Sequence, residues 1–560
     1  MEEAGISKRI WIAAAVAVGL ALLAGFWFGR PAYRNYKEAR SLRQARAFLE
    51  QGDYRSAVLS VRTALAINAT NAEAARLMAD LADQAQSPVA LVWRRRVAEL
   101  SPTLDNKILA AACALRFEKP PFPITAQTLE EVGPLAQSNT AYHLVASEMA
   151  LKLNRLQDAE THLQAAAALQ PTNLLHQLNL ATLRLRSRDA DTVVAARREL
   201  ASLASDTMLG EHALRALVTD ALVRKQFGDA EEFSRRLLAL PRAGFDDRLQ
   251  HLTVLSEAKS AELGPTLARA ESEAVTNTIK ITRLVAWLNA HDSAREALHW
   301  LESLPAAARE VPPVPLVEAD AYLLLRDWAG LETRLNGQRW KDQEFMRLAL
   351  LARALREQRR NEMADVVWRR ATDEASGKND IILAQMAGGW GWQREAENLL
   401  WTIAKRSPAE EWALRSLLQR YTATTNTDGL YRVYQVLHQR HPESLELKNN
   451  VAGLGLLLNR DVPRARELAQ QVYHAAATNA VLASTYAFAL HTQGRTAEGL
   501  KLMQSLPESE LLRPNVAIYY ACLLAAQGER EKARPFIAAA EKSPMLPEEQ
   551  RLLLQARGGN

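Results

Sequence analysis

The sequence predicts an all-α protein, built as an array of helix hairpins that follows one membrane-spanning helix. Alanine and leucine are abundant whereas runs of β-branched residues are few, which favours helices over strands. One set of residue types recurs along the C-terminal half at steps of 34, 35, 34 and 34 residues. A fixed period in this range is typical of repeat architectures. Near the N-terminus, an uncharged segment has the length of a bilayer span.

The uncharged segment, residues 10–29, reads IWIAAAVAVGLALLAGFWFG. As a helix it would extend about 30 Å, the thickness of a hydrocarbon core, with Trp11 and Trp27 near its two ends. A cleavable signal peptide is the alternative, but its apolar region is usually shorter, and no clear small-x-small cleavage site follows here. We therefore predict an N-terminal tail over residues 1–9 and an uncleaved single-pass anchor over residues 10–29.

The charges around this anchor bear on its orientation in a bacterial inner (plasma) membrane. Lys8 and Arg9 precede the helix, and more basic residues follow it, beginning in a juxtamembrane segment over residues 30–37. Basic flanks stay in the cytoplasm, which favours a cytoplasmic position for the rest of the chain. Long domains are translocated whatever their charge, so a periplasmic position remains open.

Small residues recur every four positions along the anchor, which creates a smooth stripe on one helix face. Stripes of this kind let membrane helices associate, although an alanine-rich helix also produces one by chance. Self-association through this stripe is therefore one possibility. The stripe consists of Ala13, Ala17, Ala21, Gly25 and Gly29.

The repeat itself is a spacing of small and bulky apolar residues. In the first clear unit, Ala396 lies five positions after Gly391, and Leu400 and Ile403 follow four and seven positions later. Each unit is too short to bury a core alone, so neighbouring units must stack. The starting positions are Gly391, Thr425, Arg460, Gly494 and Gly528.

A segment near the N-terminus, LEQGDYRSAVLSVRTALAIN, carries the same features at Gly52, Tyr54, Ala57 and Val61. Asn154 begins a matching unit 102 residues after Gly52, three times 34. The pattern resembles the tetratricopeptide repeat (TPR), a pair of helices joined by a tight turn. The resemblance implies a right-handed α-solenoid whose concave face, lined by the first helix of each pair, binds peptides or other proteins.

The regularity of the pattern divides the chain into segments. Residues 38–172 form N-terminal TPR-like repeats with a proline-rich interruption near residues 119–125, and residues 345–545 form C-terminal TPR repeats. Residues 173–344 read as degenerate helical repeats between them. Residues 546–560 form a closing helix and tail, whose polar outer face suits the end of an array.

Signs of chemistry are few. The chain contains no glycine-rich phosphate loop and no HExxH or GxSxG motif, and its two cysteines exclude a zinc ribbon or a disulfide framework. We predict no catalytic residue, no cofactor and no metal. The 69 basic and 64 acidic residues are interspersed without a basic stripe, so no nucleic-acid partner is expected. An enzyme with a site in residues 173–344 remains an alternative.

The repeat register predicts which side chains line the concave face. Their mixture of polar, apolar and aromatic groups suits a peptide segment laid in a groove. We therefore expect a membrane-anchored TPR scaffold that organises or regulates a bacterial envelope-assembly complex by binding other proteins. A periplasm-facing subunit of a secretion or polysaccharide-export system is the alternative. The candidate concave-face residues are Arg415, Gln419, Asn450, Ser484, Phe488 and His491, with Leu454, Ile518 and Cys522 beside them.

Overall fold

The computed structural model describes residues 30–377, 379–406 and 411–558. The predicted tail, the membrane anchor over residues 10–29 and the small-residue stripe lie outside these described residues. Within the described ranges, no helix combines the length and the apolar character that a bilayer crossing requires.

The prediction of an all-α fold is confirmed for the described residues, which form helices and no strand. Contacts divide the chain into two compact units, the first ending at Trp287 and the second beginning at Leu288. The helix that contains this boundary, α15, runs from Thr278 to Ala290. The helices before it are α1 (Arg30–Glu50), α2 (Tyr54–Ile67), α3 (Ala72–Gln84), α4 (Val89–Leu100), α5 (Leu104–Phe117), α6 (Pro123–Val132), α7 (Thr140–Lys152), α8 (Leu156–Leu169), α9 (Leu174–Arg184), α10 (Ala190–Leu203), α11 (Gly210–Val223), α12 (Phe227–Leu238), α13 (Phe245–Glu257) and α14 (Leu263–Ala274).

The second unit continues in the same way, and short 3₁₀ turns lie at Gly133–Leu135 in the first unit and Lys341–Gln343 in the second. The helices of the second unit are α16 (Ala294–Ser303), α17 (Ala306–Arg309), α18 (Val314–Leu325), α19 (Trp328–Asn336), α20 (Glu344–Glu357), α21 (Asn361–Ala375), α22 (Asp380–Gly389), α23 (Gln393–Arg406), α24 (Trp412–Ala423), α25 (Thr427–Arg440), α26 (Leu445–Leu457), α27 (Val462–Ala475), α28 (Ala480–His491), α29 (Thr496–Gln504), α30 (Glu508–Leu511), α31 (Pro514–Ala526), α32 (Arg530–Ala540) and α33 (Pro547–Arg557).

Consecutive helices pack as hairpins within each unit, from α1/α2 to α13/α14 in the first and from α18/α19 to α31/α32 in the second. Small buried residues at the start of the second helix, such as Ala57, Ala159 and Ala396, let the two helices approach closely. The helix-hairpin repeat is therefore confirmed within each unit. The right-handed sense of the solenoid stays a prediction.

The two helices of most hairpins are joined by the same turn, whose central residue has a positive φ. At Gly52, with φ +73°, the residue's N–H donates to the Leu49 carbonyl, and the next N–H, of Asp53, donates to the Phe48 carbonyl. This is a Schellman motif, which satisfies the last carbonyls of the first helix. Glycine adopts this left-handed conformation at little cost, which explains why it marks several of the repeats.

The structure differs from the predicted register at the third of the five repeat starting positions. The left-handed residue there is Asn459, with φ +53°, rather than Arg460. Asn459 lies 34 residues after Thr425, which itself has φ +48°, and 35 residues before Gly494. The longer step therefore falls one repeat later than the sequence pattern suggested.

Candidate functional site

An open groove of about 1090 Å³ lies between α9 and α11 of the first unit. These are the first helices of two consecutive hairpins, the position at which the TPR resemblance implies a ligand surface. Leu175, Leu178, Ala216 and Val223 supply apolar surface to the groove. Leu175 is 45% exposed and Val223 is 78% exposed. Large apolar side chains exposed in a concave surface are typical of a binding site.

Charged side chains surround this apolar surface. The Arg215 guanidinium pairs with Asp247 at 2.6 Å and with Glu211 at 3.3 Å. Burial raises the pKa of Asp247, but hydrogen bonds from Arg215 and from the Gly244 N–H outweigh this and hold the pKa below its ordinary value. Arg215 is thus fixed at the groove by an ionised partner on the next hairpin.

Asp220 is the one acidic residue that lines the described part of this groove, and two arginines neutralise it. Arg197 Nε lies 2.6 Å from Asp220, and Arg224 Nε lies 2.8 Å from its other oxygen. Arg186 and His212 also line the groove, are exposed, and form no ion pair among the described residues. Arg186 is therefore the arginine that carries an unpaired positive charge in the described lining of the groove.

The candidate residues on α24 and α26 differ in exposure. Arg415 has a side chain 76% exposed and lies 3.9 Å from Glu411, while Gln419 is also exposed on the same helix. Asn450, on α26, is half-buried and lines a cavity of about 320 Å³. Leu454, one turn further along α26, is buried against the same cavity.

The candidates on α28 are largely internal. Ser484 is buried, and its hydroxyl donates to the Val481 carbonyl at 2.8 Å, although Ser484 also lines the cavity. Phe488 belongs to the hydrophobic core, with its ring centroid 5.1 Å from that of Tyr519. The His491 Nδ1 lies 2.9 Å from the Thr496 hydroxyl, and burial lowers the pKa of the imidazole.

The structure thus brings Asn450, Leu454 and Ser484 together at one cavity, which Arg415, Gln419, Phe488 and His491 do not line. Ile518 and Cys522 on α31 are buried. A role in partner binding stays a prediction for all of these residues.

Part of the wall of this cavity comes from an unexpected place, the segment before and within α33. Pro544, Met545, Leu546 and Glu549 all line it. The Tyr519 hydroxyl donates to the Glu549 carboxylate at 3.3 Å. Burial raises the pKa of Glu549 above its ordinary value. The chain's own C-terminal segment therefore lies in the surface that the sequence predicts to bind peptides.

Sequence reasoning missed the groove between α9 and α11, because it lies in the region where the repeat pattern is degenerate. One signal was present in LLHQLNLATLR, the sequence of α9. Leucines occur on more than one side of this helix, and Leu178 is buried while Leu174 and Leu175 remain exposed. A helix with more apolar surface than its own hairpin can bury is a candidate for partner binding.

The arginine runs of the chain mostly lie in ion pairs. Arg94 lies 2.6 Å from Asp83, Arg360 lies 2.7 Å from Glu332, and Arg235 pairs with Glu231. Paired arginines of this kind form a solvated, neutralised surface. Among the described residues, no group of three His, Cys, Asp or Glu side chains is placed to hold a metal ion.

Comparison with known proteins gives distant structural neighbours. No protein-family model and no curated protein sequence matches the chain. The crystal structure of the APC/C hetero-tetramer Cut9-Hcn1 contains a chain with 12% identity and a TM-score of 0.31, over 95% of this chain and 99% of that chain. The structure of Naa15/Naa10 bound to HypK-THB contains one with 14% identity and a TM-score of 0.25, over 92% and 70%. Scores this low support no inference about function.

Proposed function

We propose that the protein is a membrane-anchored scaffold that binds an amphipathic helix of another protein in the groove between α9 and α11. The observation that carries this proposal is the groove itself, which exposes leucine and valine side chains between two first helices. An amphipathic helix laid in such a groove removes this apolar surface from water, which favours association by about 25 cal/mol per Å² buried.

Charge complementarity gives the partner its second property. Arg215 and Arg224 line the groove in ion pairs with Asp247 and Asp220, whereas Arg186 lines it without an acidic partner among the described residues. A partner helix with glutamate or aspartate on its polar face would be attracted to Arg186, and a basic partner helix would be repelled by it. The partner is therefore an acidic amphipathic helix.

Residues 10–29 supply the membrane anchor of this proposal. An anchor confines the groove to one surface, which raises its effective concentration toward partners in the same membrane. This suits a scaffold that organises or regulates a bacterial envelope-assembly complex from the cytoplasmic side. The periplasm-facing subunit of a secretion or polysaccharide-export system would use the same groove on the other side of the membrane. A catalytic role forms no part of the proposal.

A defined peptide pair tests the groove. One synthetic peptide carries leucines at i, i+3, i+4 and i+7 with glutamates on the opposite face, and the second carries lysines instead. Fluorescence anisotropy with the full chain should show that the acidic peptide binds more tightly. The substitution Val223→Asp should weaken its binding at least tenfold, since a charge would enter the apolar contact.

Val194→Asp is the matched control, because Val194 is 51% exposed on α10, the second helix of the same hairpin as α9. This variant should bind the acidic peptide like the wild type. The proposal is wrong if both variants bind equally, or if the lysine peptide binds as tightly as the glutamate peptide.

A further inference from the structure

The C-terminal segment, residues 543–557, packs against the last hairpin and also reaches a much earlier one. After α32 ends at Ala540, residues 543–546 are not helical, and α33 begins at Pro547. The Thr427 hydroxyl, at the start of α25, donates to the Glu548 carboxylate across 121 residues of sequence. A helix that only closed the array would need to contact α31 and α32 alone.

The surface beneath this segment is built mainly from first helices, with Leu430 and Tyr434 of the second helix α25 beside them. Asn450 and Leu454 of α26, Ser484 of α28 and Tyr519 of α31 line the cavity that the segment covers. Leu546 packs against the large core cluster of the second unit. The segment therefore occupies the face of these hairpins on which a peptide ligand was expected.

The fit of the segment is incomplete. A cavity of about 320 Å³ remains beneath it, close to the lower limit of small-ligand sites. Asn449 lines that cavity and is 7% exposed, yet its side-chain carbonyl oxygen accepts no hydrogen bond from any described residue. A buried acceptor without a donor costs free energy. The surface therefore offers a hydrogen-bond acceptor, the side-chain oxygen of Asn449, that the C-terminal segment leaves without a donor.

The segment is held by apolar contacts, which are partly offset by one unpaired carboxylate. Within α33, Leu553 and Ala556 are the buried side chains. The Glu549 carboxylate accepts from the Leu546 N–H at 2.9 Å and from Tyr519, and forms no ion pair among the described residues. A half-buried carboxylate without a cationic partner opposes docking. This opposing contribution lowers the free energy that release of the segment requires.

We propose that this groove is a second binding site, held closed by residues 543–557, and that it opens to a partner protein with the same local chemistry. That chemistry is a leucine followed by a proline-initiated helix with two glutamates in its first turn, as in Leu546, Pro547, Glu548 and Glu549. Proline suits the first position of a helix, and the glutamates accept from groups that the groove already presents. The site lies in the second unit and is independent of the groove between α9 and α11.

The attached segment, residues 543–557, competes with such a partner for the same groove and thereby sets the partner's apparent affinity. A covalently attached segment acts at an effective concentration in the millimolar range. A partner binds only the open fraction, so its apparent dissociation constant is the intrinsic one divided by that fraction. Any change that releases the segment should therefore tighten binding of the partner.

The probe for this idea is a fluorescent synthetic peptide with the sequence of residues 543–557, added to the full chain. In the variant Leu546→Asp, the apolar anchor of the attached segment is lost, and the peptide should bind at least tenfold more tightly than to the wild type. The same peptide carrying Leu546→Asp should not bind. Leu554→Asp is the matched control, since Leu554 is 56% exposed on the same helix and should behave like the wild type.

A cross-linked variant checks the result without relying on Leu546. Thr427→Cys and Glu548→Cys can be joined by a short thiol-reactive cross-linker, because the native Cys113 and Cys522 are buried and burial raises the pKa of both thiols to about 11. The peptide should bind the double variant before cross-linking and lose binding after it. The acidic amphipathic peptide of the first groove should bind in both states, which separates failure of this proposal from failure of that one.

Three results would overturn the proposal. The first is equal binding of the peptide to the wild type and to Leu546→Asp, and the second is binding that survives the cross-link. The third is a wild-type dimer that Leu546→Asp dissociates, as seen by light scattering. That dimer would mean that a second copy of this chain, rather than a different protein, supplies the occupant.

Discussion

Glu318 is a fully buried carboxylate that faces two arginines. Arg309 Nη2 donates to Glu318 Oε1 at 2.5 Å, and Arg334 Nε lies 2.9 Å from the same oxygen. Both arginines keep less than a quarter of their side-chain surface exposed. Three charged groups share this small volume, so removal of the single negative charge leaves two desolvated cations facing each other.

We predict that Glu318→Ala lowers the free energy of unfolding by about 3 kcal/mol or more, as expected when one partner of a buried ion pair is removed. Urea denaturation followed by circular dichroism measures this change. Glu498→Ala is the control, since Glu498 forms an exposed pair with Arg495 at 2.6 Å and its loss should leave stability unchanged. Equal effects of the two substitutions would contradict the prediction.

Glu344 gives a pH dependence with a definite sign. A hydrogen bond from Arg347 and one from the Trp340 N–H lower the pKa of Glu344 below 4.5, against the opposing effect of burial. A carboxyl group whose pKa is lower in the folded chain than in the unfolded chain stabilises the fold at pH values above the unfolded-state pKa. This contribution is lost as the pH falls through the folded-state pKa. The affected window therefore begins near pH 4.5 and extends downward.

Glu344→Gln removes this titration. We expect the wild type to be more stable than this variant at pH 7, and the difference between their urea midpoints to shrink as pH is lowered below 4.5. Denaturation series at pH 7, 5, 4 and 3 provide the measurement. A difference that stays constant over this range would show that the carboxylate charge of Glu344 is not what stabilises the fold.

Hairpin turns show most clearly what the sequence can and cannot reveal about the elements. Glycine made the turns at Gly52, Gly494 and Gly528 recognisable. The degenerate region contains the same turn at Lys225, Lys259 and Arg326, each with φ between +50° and +60°. At Lys225, the N–H donates to the Leu222 carbonyl and the next N–H to the Ala221 carbonyl, as in the glycine turns.

Residue type alone could not predict these turns, because lysine and arginine normally avoid the left-handed region. Packing of the two helices imposes the conformation and offsets its cost. The repeat therefore continues through residues where its sequence signature is lost, and with it continues the surface that forms the groove between α9 and α11.

Lys259→Gly should stabilise the protein by about 0.5–1 kcal/mol. Glycine relieves the strain of the left-handed conformation, and the greater entropy of glycine in the unfolded chain offsets part of this effect. Lys259 is exposed and forms no ion pair within the described ranges, so its side chain contributes little. Gly494→Ala is the converse, with φ +76° and open space around the new Cβ, and should destabilise by about 1 kcal/mol. Thermal unfolding of both variants tests this, and a loss of stability in Lys259→Gly would contradict it.

The close approach of the two helices in a hairpin limits which residues can stand between them. A Cβ on Gly499 of α29 would lie 2.7 Å from the Ala487 backbone oxygen of α28. Gly499→Ala should therefore separate the two helices and destabilise the fold by about 1–3 kcal/mol. Gly228→Ala, where α12 leaves open space, should instead stabilise by up to about 1 kcal/mol. Urea midpoints that move in the same direction for both variants would refute the steric explanation.

For the whole molecule, the sequence predicted the fold class and a closing helix, which α33 provides at Pro547–Arg557. It did not predict where that helix lies. The contact between Thr427 and Glu548 joins residues 121 positions apart, and no local pattern encodes it. Of the candidate residues, Asn450 and Ser484 lie on first helices and their role in binding stays a prediction, while the burial of Phe488 depends on how neighbouring hairpins stack.

Membrane attachment is a prediction about the whole chain. Full-length protein should remain in the membrane pellet after alkaline carbonate extraction, and a variant that lacks residues 1–29 should appear in the supernatant, because residues 10–29 are the apolar span. A cysteine introduced by Val194→Cys then shows on which side of the membrane the helical repeats lie. In intact spheroplasts it should resist a membrane-impermeant maleimide, and rapid labelling would instead indicate the periplasm.

Hairpins that contact only their neighbours tolerate gain or loss of a whole unit, since the array simply lengthens or shortens. The bridge from Thr427 to Glu548 removes this freedom for α26 to α32. One additional hairpin among them would place Glu548 too far from Thr427 for a hydrogen bond. One hairpin fewer would remove part of the surface on which the C-terminal segment packs. The bridge thus fixes the number of hairpins between Thr427 and Glu548. In proteins of this design, we expect hairpins to be gained or lost outside this part of the chain.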